Sequence, residues 1–167
     1  HGITPPLGFY GADYDTSVTR AHHHGDTHEY LLSGTVMHAD VVINLPKLKT
    51  HKKTGITCAL KNLVGINGDK NWLPLYMLGA PEEGGDQFPR ATAATSSERV
   101  LMSRIKTMLA HAPVWINHLF RPVKALGTRV FGSTHRVVRS GNWHGNDTAW
   151  RMAVDLNTCF FYWRDGD

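Results

Sequence analysis

The spacing of apolar and polar positions divides the chain into unequal parts. Residues 1–30 are rich in Gly, Pro, His and Asp, show no sustained period, and read as loop with one short strand. Asp40-Val41-Val42-Ile43-Asn44-Leu45 is a β-branched apolar run closed by Pro46. That pattern belongs to a strand covered on both faces, as in a parallel sheet. A polar loop follows, Lys47 to Gly55. Ile56, Leu60, Leu63 and Val64 then recur at helical spacing, which predicts a helix over 56–64 ended by Gly65 and Gly68.

Residues 71–94 hold three prolines and the cluster Glu82-Glu83-Gly84-Gly85-Asp86, and read as a long loop. Thr95-Ser96-Ser97-Glu98 fits a capping box that opens a helix to about His111. Pro113 begins a second helical stretch, with Trp115, Leu119 and Val123 on one face and a kink at Pro122. Arg136-Val137-Val138-Arg139 fits a short strand. Asp147 is placed to cap a last helix from Thr148 to about Tyr162, with Met152, Leu156, Cys159 and Phe160 inward.

Together these elements predict an α/β fold with a parallel or mixed sheet and flanking helices. A basic helical insertion at about 95–132 would interrupt a single partial domain spanning 1–167. Composition agrees: 41% apolar and 19% charged is a globular balance. A chain of 167 residues can bury a core without covalent staples. Two cysteines, Cys58 and Cys159, are too few for a disulfide scaffold or for an iron–sulfur cluster, which takes about four thiolates. Both read as small buried hydrophobes, with a nucleophile as the alternative for Cys58. No stretch approaches the roughly 20 apolar residues of a spanning helix. His1-Gly2-Ile3-Thr4-Pro5-Pro6 is no signal-peptide pattern. The compartment is not readable from the sequence; a cytoplasmic or membrane-peripheral location is favoured.

The net charge of +4 conceals an asymmetry. Arg99 to Asn146 is acid-free yet holds Arg99, Arg104, Lys106, Arg121, Lys124, Arg129, Arg136 and Arg139. With Trp115, Phe120 and Phe131 interleaved, this block suits an anionic membrane surface or a lipid-linked substrate. It equally suits a solvated helical insert. Nucleic acid ranks below both, because no recognition motif or stacking platform is present.

The densest chemistry lies in Lys47-Leu48-Lys49-Thr50-His51-Lys52-Lys53-Thr54-Gly55-Ile56-Thr57. In open α/β sheets, ligands bind beyond the carboxyl ends of strands. The start of a helix would add free N–H groups and a partial positive charge. Lys47 and Lys49 alternate with Leu48 and share a face if extended, and Lys61 lies one turn beyond Thr57. The set suits phosphate or carboxylate, and lacks the glycine spacing of a P-loop. Lys52 and Lys53 read as solvated loop.

The run Ala39-Asp40-Val41-Val42-Ile43-Asn44-Leu45-Pro46-Lys47-Leu48-Lys49-Thr50-His51, with Thr54-Gly55-Ile56-Thr57 and Leu60-Lys61-Asn62-Leu63-Val64-Gly65, resembles the signature of the bacterial and archaeal family called domain of unknown function 362. The resemblance continues at Gly68-Asp69-Lys70-Asn71-Trp72-Leu73-Pro74, at Glu82-Glu83-Gly84-Gly85-Asp86 and at Gly141-Asn142-Trp143-His144-Gly145-Asn146-Asp147-Thr148, and covers most of 22–163. It implies that the chain is the C-terminal portion of a longer member. Ferredoxin-type cysteines found in an appended region of some relatives are lacking here. Leu75-Tyr76 stands where members often carry two histidines. A looser, fold-level analogy runs to the nickel-dependent lactate racemase group.

His22-His23-His24-Gly25-Asp26-Thr27-His28-Glu29 is a second cluster. In an extended segment His22 and His24 face one side, so with His28, and His51 from the lysine loop, they would hold a divalent metal such as zinc, nickel or iron. The alternative is an exposed histidine loop. In Ser140 to Thr148, Asn142, His144, Asn146 and Asp147 supply donors and acceptors beside Gly141 and Gly145. His144 and Asp147 would make an acid–base pair if that turn folds over the lysine loop; otherwise it is a helix cap and a β-turn.

The sequence thus points to an enzyme, or half of one, acting on an anionic small molecule or lipid-linked substrate. Lys49, His51 and Asp147 are the catalytic candidates. Lys47, Thr50, Thr57, Lys61, Asn62, Asn142 and His144 are the substrate-binding candidates. The alternative is a non-catalytic metal- or anion-binding domain that associates with membrane surfaces.

Overall fold

The computed structural model describes residues 8–11, 16–92 and 140–163. The helices expected between Thr95 and Val130 and the strand expected at Arg136–Arg139 lie outside the described residues. In chain order the elements are β1 (Phe9–Tyr10), α1 (Thr16–His22), β2 (His23–His24), β3 (Thr27–His28), α2 (Gly34–Met37), β4 (Lys49–His51), β5 (Gly55–Thr57), α3 (Ala59–Asn62), β6 (Tyr76–Met77) and α4 (Thr148–Tyr162). Short 3-10 turns lie at Leu63–Ile66, Lys70–Trp72 and Pro81–Glu83.

Helices and strands are both present, but the sheets are small and antiparallel. β1 pairs with β6, β2 with β3, and β4 with β5. The parallel sheet expected around Asp40–Leu45 does not form among the described residues. That run is extended and unpaired, with Val41 and Ile43 each 76% exposed and Leu45 84%. β-branched residues dictate an extended backbone, but a sheet also needs a neighbouring edge to bond to, and no described residue offers one.

The helix expected over 56–64 is also redrawn. The chain reverses at Lys52–Thr54, and Gly55 opens the returning strand at φ 72°, a conformation that costs a side chain but not glycine. Ile56 and Thr57 run back beside Thr50 and Lys49 as a hairpin. Helix α3 therefore begins only at Ala59 and is four residues long. One turn carries little macrodipole, so the anion-attracting helix start expected here is lost. Ile56 and Leu60 stay exposed, while Leu63 is buried.

Helix α4 matches its expected span. Met152 and Leu156, four residues apart, point into a core with Leu63 and Leu73, against which Tyr30, Leu32, Val64, Ile66, Leu75 and Phe160 pack. A second cluster joins Tyr10, Tyr76 and Leu78 across the β1–β6 pair. Cys159, expected inward, is exposed at the helix end, and Cys58 is exposed ahead of α3. Between the two clusters Asp86 is buried and its carboxylate is fully engaged. It accepts from the backbone N–H of Met77, Asp147 and Thr148 and from the Thr148 hydroxyl, at 2.6–2.9 Å.

Candidate functional site

The hairpin β4–β5 builds the site by its register. Lys49 faces Thr57 across the ladder, and His51 faces Gly55. Cross-strand partners and residues two apart share a face, so Lys49, His51 and Thr57 lie on one side, with Thr50 and Ile56 on the other. Lys61, on α3, approaches the same side: its charge and those of Lys53 and Lys49 all bear on His51. Burial is the larger influence on both groups. It lowers the proton affinity of His51 and of Lys61, and the neighbouring ammonium groups lower it further.

Two further observations define the chemistry. The Nδ1 of His51 accepts from the backbone N–H of Lys53 and of Thr54, at 3.2 and 3.3 Å. That fixes the neutral tautomer, so Nε2 bears the proton and acts as a donor. The hydroxyl of Thr57 is buried with no hydrogen-bond partner among the described residues. No Asp or Glu occurs between Val41 and Gly68, a stretch that holds Lys47, Lys49, Lys52, Lys53 and Lys61. The site therefore gathers ammonium groups, an imidazole N–H and an orphaned hydroxyl without a carboxylate. Such a set repels metal cations and suits an oxyanion.

Lys53, which reads as solvated loop in the sequence, ties the hairpin to the distant turn. Its Nζ donates to the Ser140 carbonyl and lies 5.0 Å from the centre of the Tyr76 ring. Gly141 follows at φ 74°, where a Cβ would strike Tyr76 and Asn146. The turn from Ser140 thus does reach the lysine loop, but through backbone. His144 is exposed and sets its ring against Trp143. The Asp147 carboxylate accepts from Trp150 Nε1 and Arg151 Nε, at 2.9 and 2.8 Å, rather than from His144. The expected acid–base pair is not formed, because α4 begins at Thr148 and brings Trp150 and Arg151 round to Asp147. Asn142 is half-buried in the same turn.

Other candidates are placed elsewhere. Lys49 is exposed at the rim of the site; Thr50, on the other face of the hairpin, and Lys47, ahead of it, are exposed as well. Asn62 donates to Asn44 Oδ1 at 2.7 Å, and Asn44 donates to the Ala59 carbonyl at 2.9 Å, so both tie the extended segment to α3. His22, His24 and His28 do not converge. His22 ends α1, bonds Glu29 at 2.7 Å and stacks on Trp72. The extended segment starts one residue later than the alternation required, so His23 turns inward and His24 outward. His23 meets His28 instead, Nδ1 to Nδ1 at 3.1 Å. Among the described residues no group of three or more His, Cys, Asp or Glu is arranged to hold a metal ion. No described helix is long and apolar enough to cross a membrane.

The model of the family described as domain of unknown function (DUF362) matches residues 2–160. A thylakoid-associated protein of Synechocystis is 43% identical over 61 residues, which are 36% of this chain and 17% of that protein. No solved structure matches.

Proposed function

Because the chain belongs to the DUF362 family, whose description carries no activity, we propose its function from the hairpin site itself: it binds a phosphate- or carboxylate-bearing small molecule. Lys49 and Lys61 supply charge, His51 Nε2–H and the Thr57 hydroxyl supply directed donors, and Lys53 braces the hairpin against Ser140. The observation that carries this reading is the buried, unpartnered hydroxyl of Thr57 beside Lys49. An orphaned buried hydroxyl costs about 1–3 kcal/mol, and an anion's oxygen would relieve that cost. His51 acts as a donor rather than a base, since two backbone N–H groups hold its Nδ1. The thylakoid setting named for the Synechocystis relative makes a lipid-linked anion one ligand worth testing beside free phosphate.

Calorimetry with inorganic phosphate and with a simple phosphomonoester tests the reading. Lys49→Met and Lys61→Met should each weaken binding about tenfold, the usual scale for a charge-assisted contact. Thr57→Val should weaken it severalfold while raising the melting temperature of the free protein. Affinity should decline as pH rises toward the ordinary lysine value of 10.5, because Lys61 releases its proton early. Unchanged binding in the Lys49→Met, Lys61→Met double variant would refute the assignment, as would no binding of either ligand at millimolar concentration.

A further inference from the structure

If the hairpin site binds an anion, as proposed above, its donors also set the charge of what it takes. Lys49 lies near enough to Lys61 to depress its proton affinity. The charged groups that bear on His51 are Lys61 on α3, Lys53 in the turn and Lys49 on β4, with no carboxylate among them. Lys53 is already engaged by the Ser140 carbonyl. Two mutually repelling ammonium groups are left for the ligand to balance. A monoanion offsets one of them, whereas a dianion offsets both. Lys49 is exposed at the rim, while Lys61 is half-buried, so water screens its charge less.

The hydrogen-bonding groups agree with that count. His51 offers only a donor, because two backbone N–H groups occupy its Nδ1. The Thr57 hydroxyl has no partner among the described residues. It could accept from a ligand only by leaving its own hydrogen unbonded, so it too serves as a donor. A protonated ligand oxygen would meet donors alone and would deprive one of them of its partner. Carboxylates and phosphodiesters present two ionised oxygens and one charge. A fully ionised phosphomonoester presents three acceptor oxygens and two charges. We infer that the site selects the doubly ionised terminal phosphate of a monoester over phosphodiesters and carboxylates, and that Lys61 is the residue that reads the second charge.

Calorimetry of the intact chain at about pH 8 with ethyl phosphate, dimethyl phosphate and acetate tests this. Ethyl phosphate should bind about tenfold more tightly than either monoanion. Lys61→Met should remove most of that preference, and Lys61→Arg, which keeps the charge, should retain it. Lowering the pH to about 5 should weaken ethyl phosphate about tenfold, because its second ionisation lies near 6. Sulfate, doubly ionised throughout, should not weaken. Equal affinity for ethyl and dimethyl phosphate, both still lowered in the Lys49→Met, Lys61→Met variant, overturns the inference and leaves the anion site standing. A parallel fall for sulfate overturns it as well, since the titrating group would then belong to the protein. No binding of any of these ions removes the site and the inference together. Displacement of ethyl phosphate by vesicles containing phosphatidate would place the monoester on a lipid, and no displacement would place it on a soluble molecule; both outcomes support the dianion.

Discussion

His23 shows how one residue's surroundings set its chemistry. Its Nε2–H donates to the Trp72 carbonyl at 2.7 Å, which leaves Nδ1 as an acceptor for His28. The ring is only 2% exposed. Burial chiefly, helped by the like charges of His28 and His22, pushes its pKa from 6.5 down to about 4, against the opposing pull of Trp72 and Glu29. The folded state therefore holds His23 neutral where the unfolded chain would protonate it. The unfolded chain binds more protons between those two values, so stability rises with pH across the window. It is fully present above about pH 6.5 and lost as the pH falls toward 4, by up to about 3 kcal/mol. Denaturant unfolding at a series of pH values should show this slope, and His23→Gln should flatten it. Parallel profiles for the two proteins would remove His23 as the cause. The sequence offers the cluster of histidines but not this outcome. Which histidine turns inward depends on where α1 ends, and a shift of one residue exchanges every inside and outside position of a strand.

At the scale of elements, the legible parts are those with a long period and a local stop signal. Helix α4 spans fifteen residues and repeats its apolar face through Met152 and Leu156, so its existence and bounds follow from pattern. The hairpin β4–β5 does not, because Ile56, Leu60 and Leu63 fit a helix as well as they fit a strand followed by one short turn. Gly55 decides between the two, and a lone glycine in a polar loop gives no warning. The lysines and His51 are legible as a set, and their shared face is not, since it depends on the register Lys49 to Thr57. Asp86 is the other omission. It lies 62 residues before the first residue of the helix it caps, and no local spacing connects them. Four hydrogen bonds converge on that buried carboxylate, while Asn146 caps Ala149 at 2.8 Å. Asp86→Ala should destabilise the protein by about 3–5 kcal/mol, in the range for breaking a buried charged network. The exposed Asp147–Arg151 pair at 2.8 Å is worth less than about 1 kcal/mol, so Asp147→Ala should cost far less. Equal losses in thermal unfolding would show that Asp86 is not the anchor of α4.

At the scale of the molecule, the proposed anion site is only as rigid as the helix behind it. α3 is too short to hold its own shape, because a single turn fixes more dihedral angles than its hydrogen bonds repay. It is held from outside. Asn157, buried on α4, donates to the Leu60 carbonyl at 2.9 Å and to the Ala153 carbonyl at 2.6 Å. The first bond fixes the carbonyl next to Lys61, and so the direction from which Lys61 enters the site. α4 in turn rests on Leu63 and Leu73 through Met152 and Leu156. Asn157→Leu keeps the volume and removes the tether, leaving the Leu60 carbonyl without its donor. Stability should fall by about 1–2 kcal/mol, and phosphate affinity should fall severalfold although no contact to the ligand is touched. A double-mutant cycle separates positioning from general loosening. If Asn157 acts through Lys61, then Asn157→Leu should change affinity in the wild-type background and leave it unchanged in the Lys61→Met background. Equal effects in both backgrounds would place the coupling elsewhere, and the long helix would then support the core without steering the site.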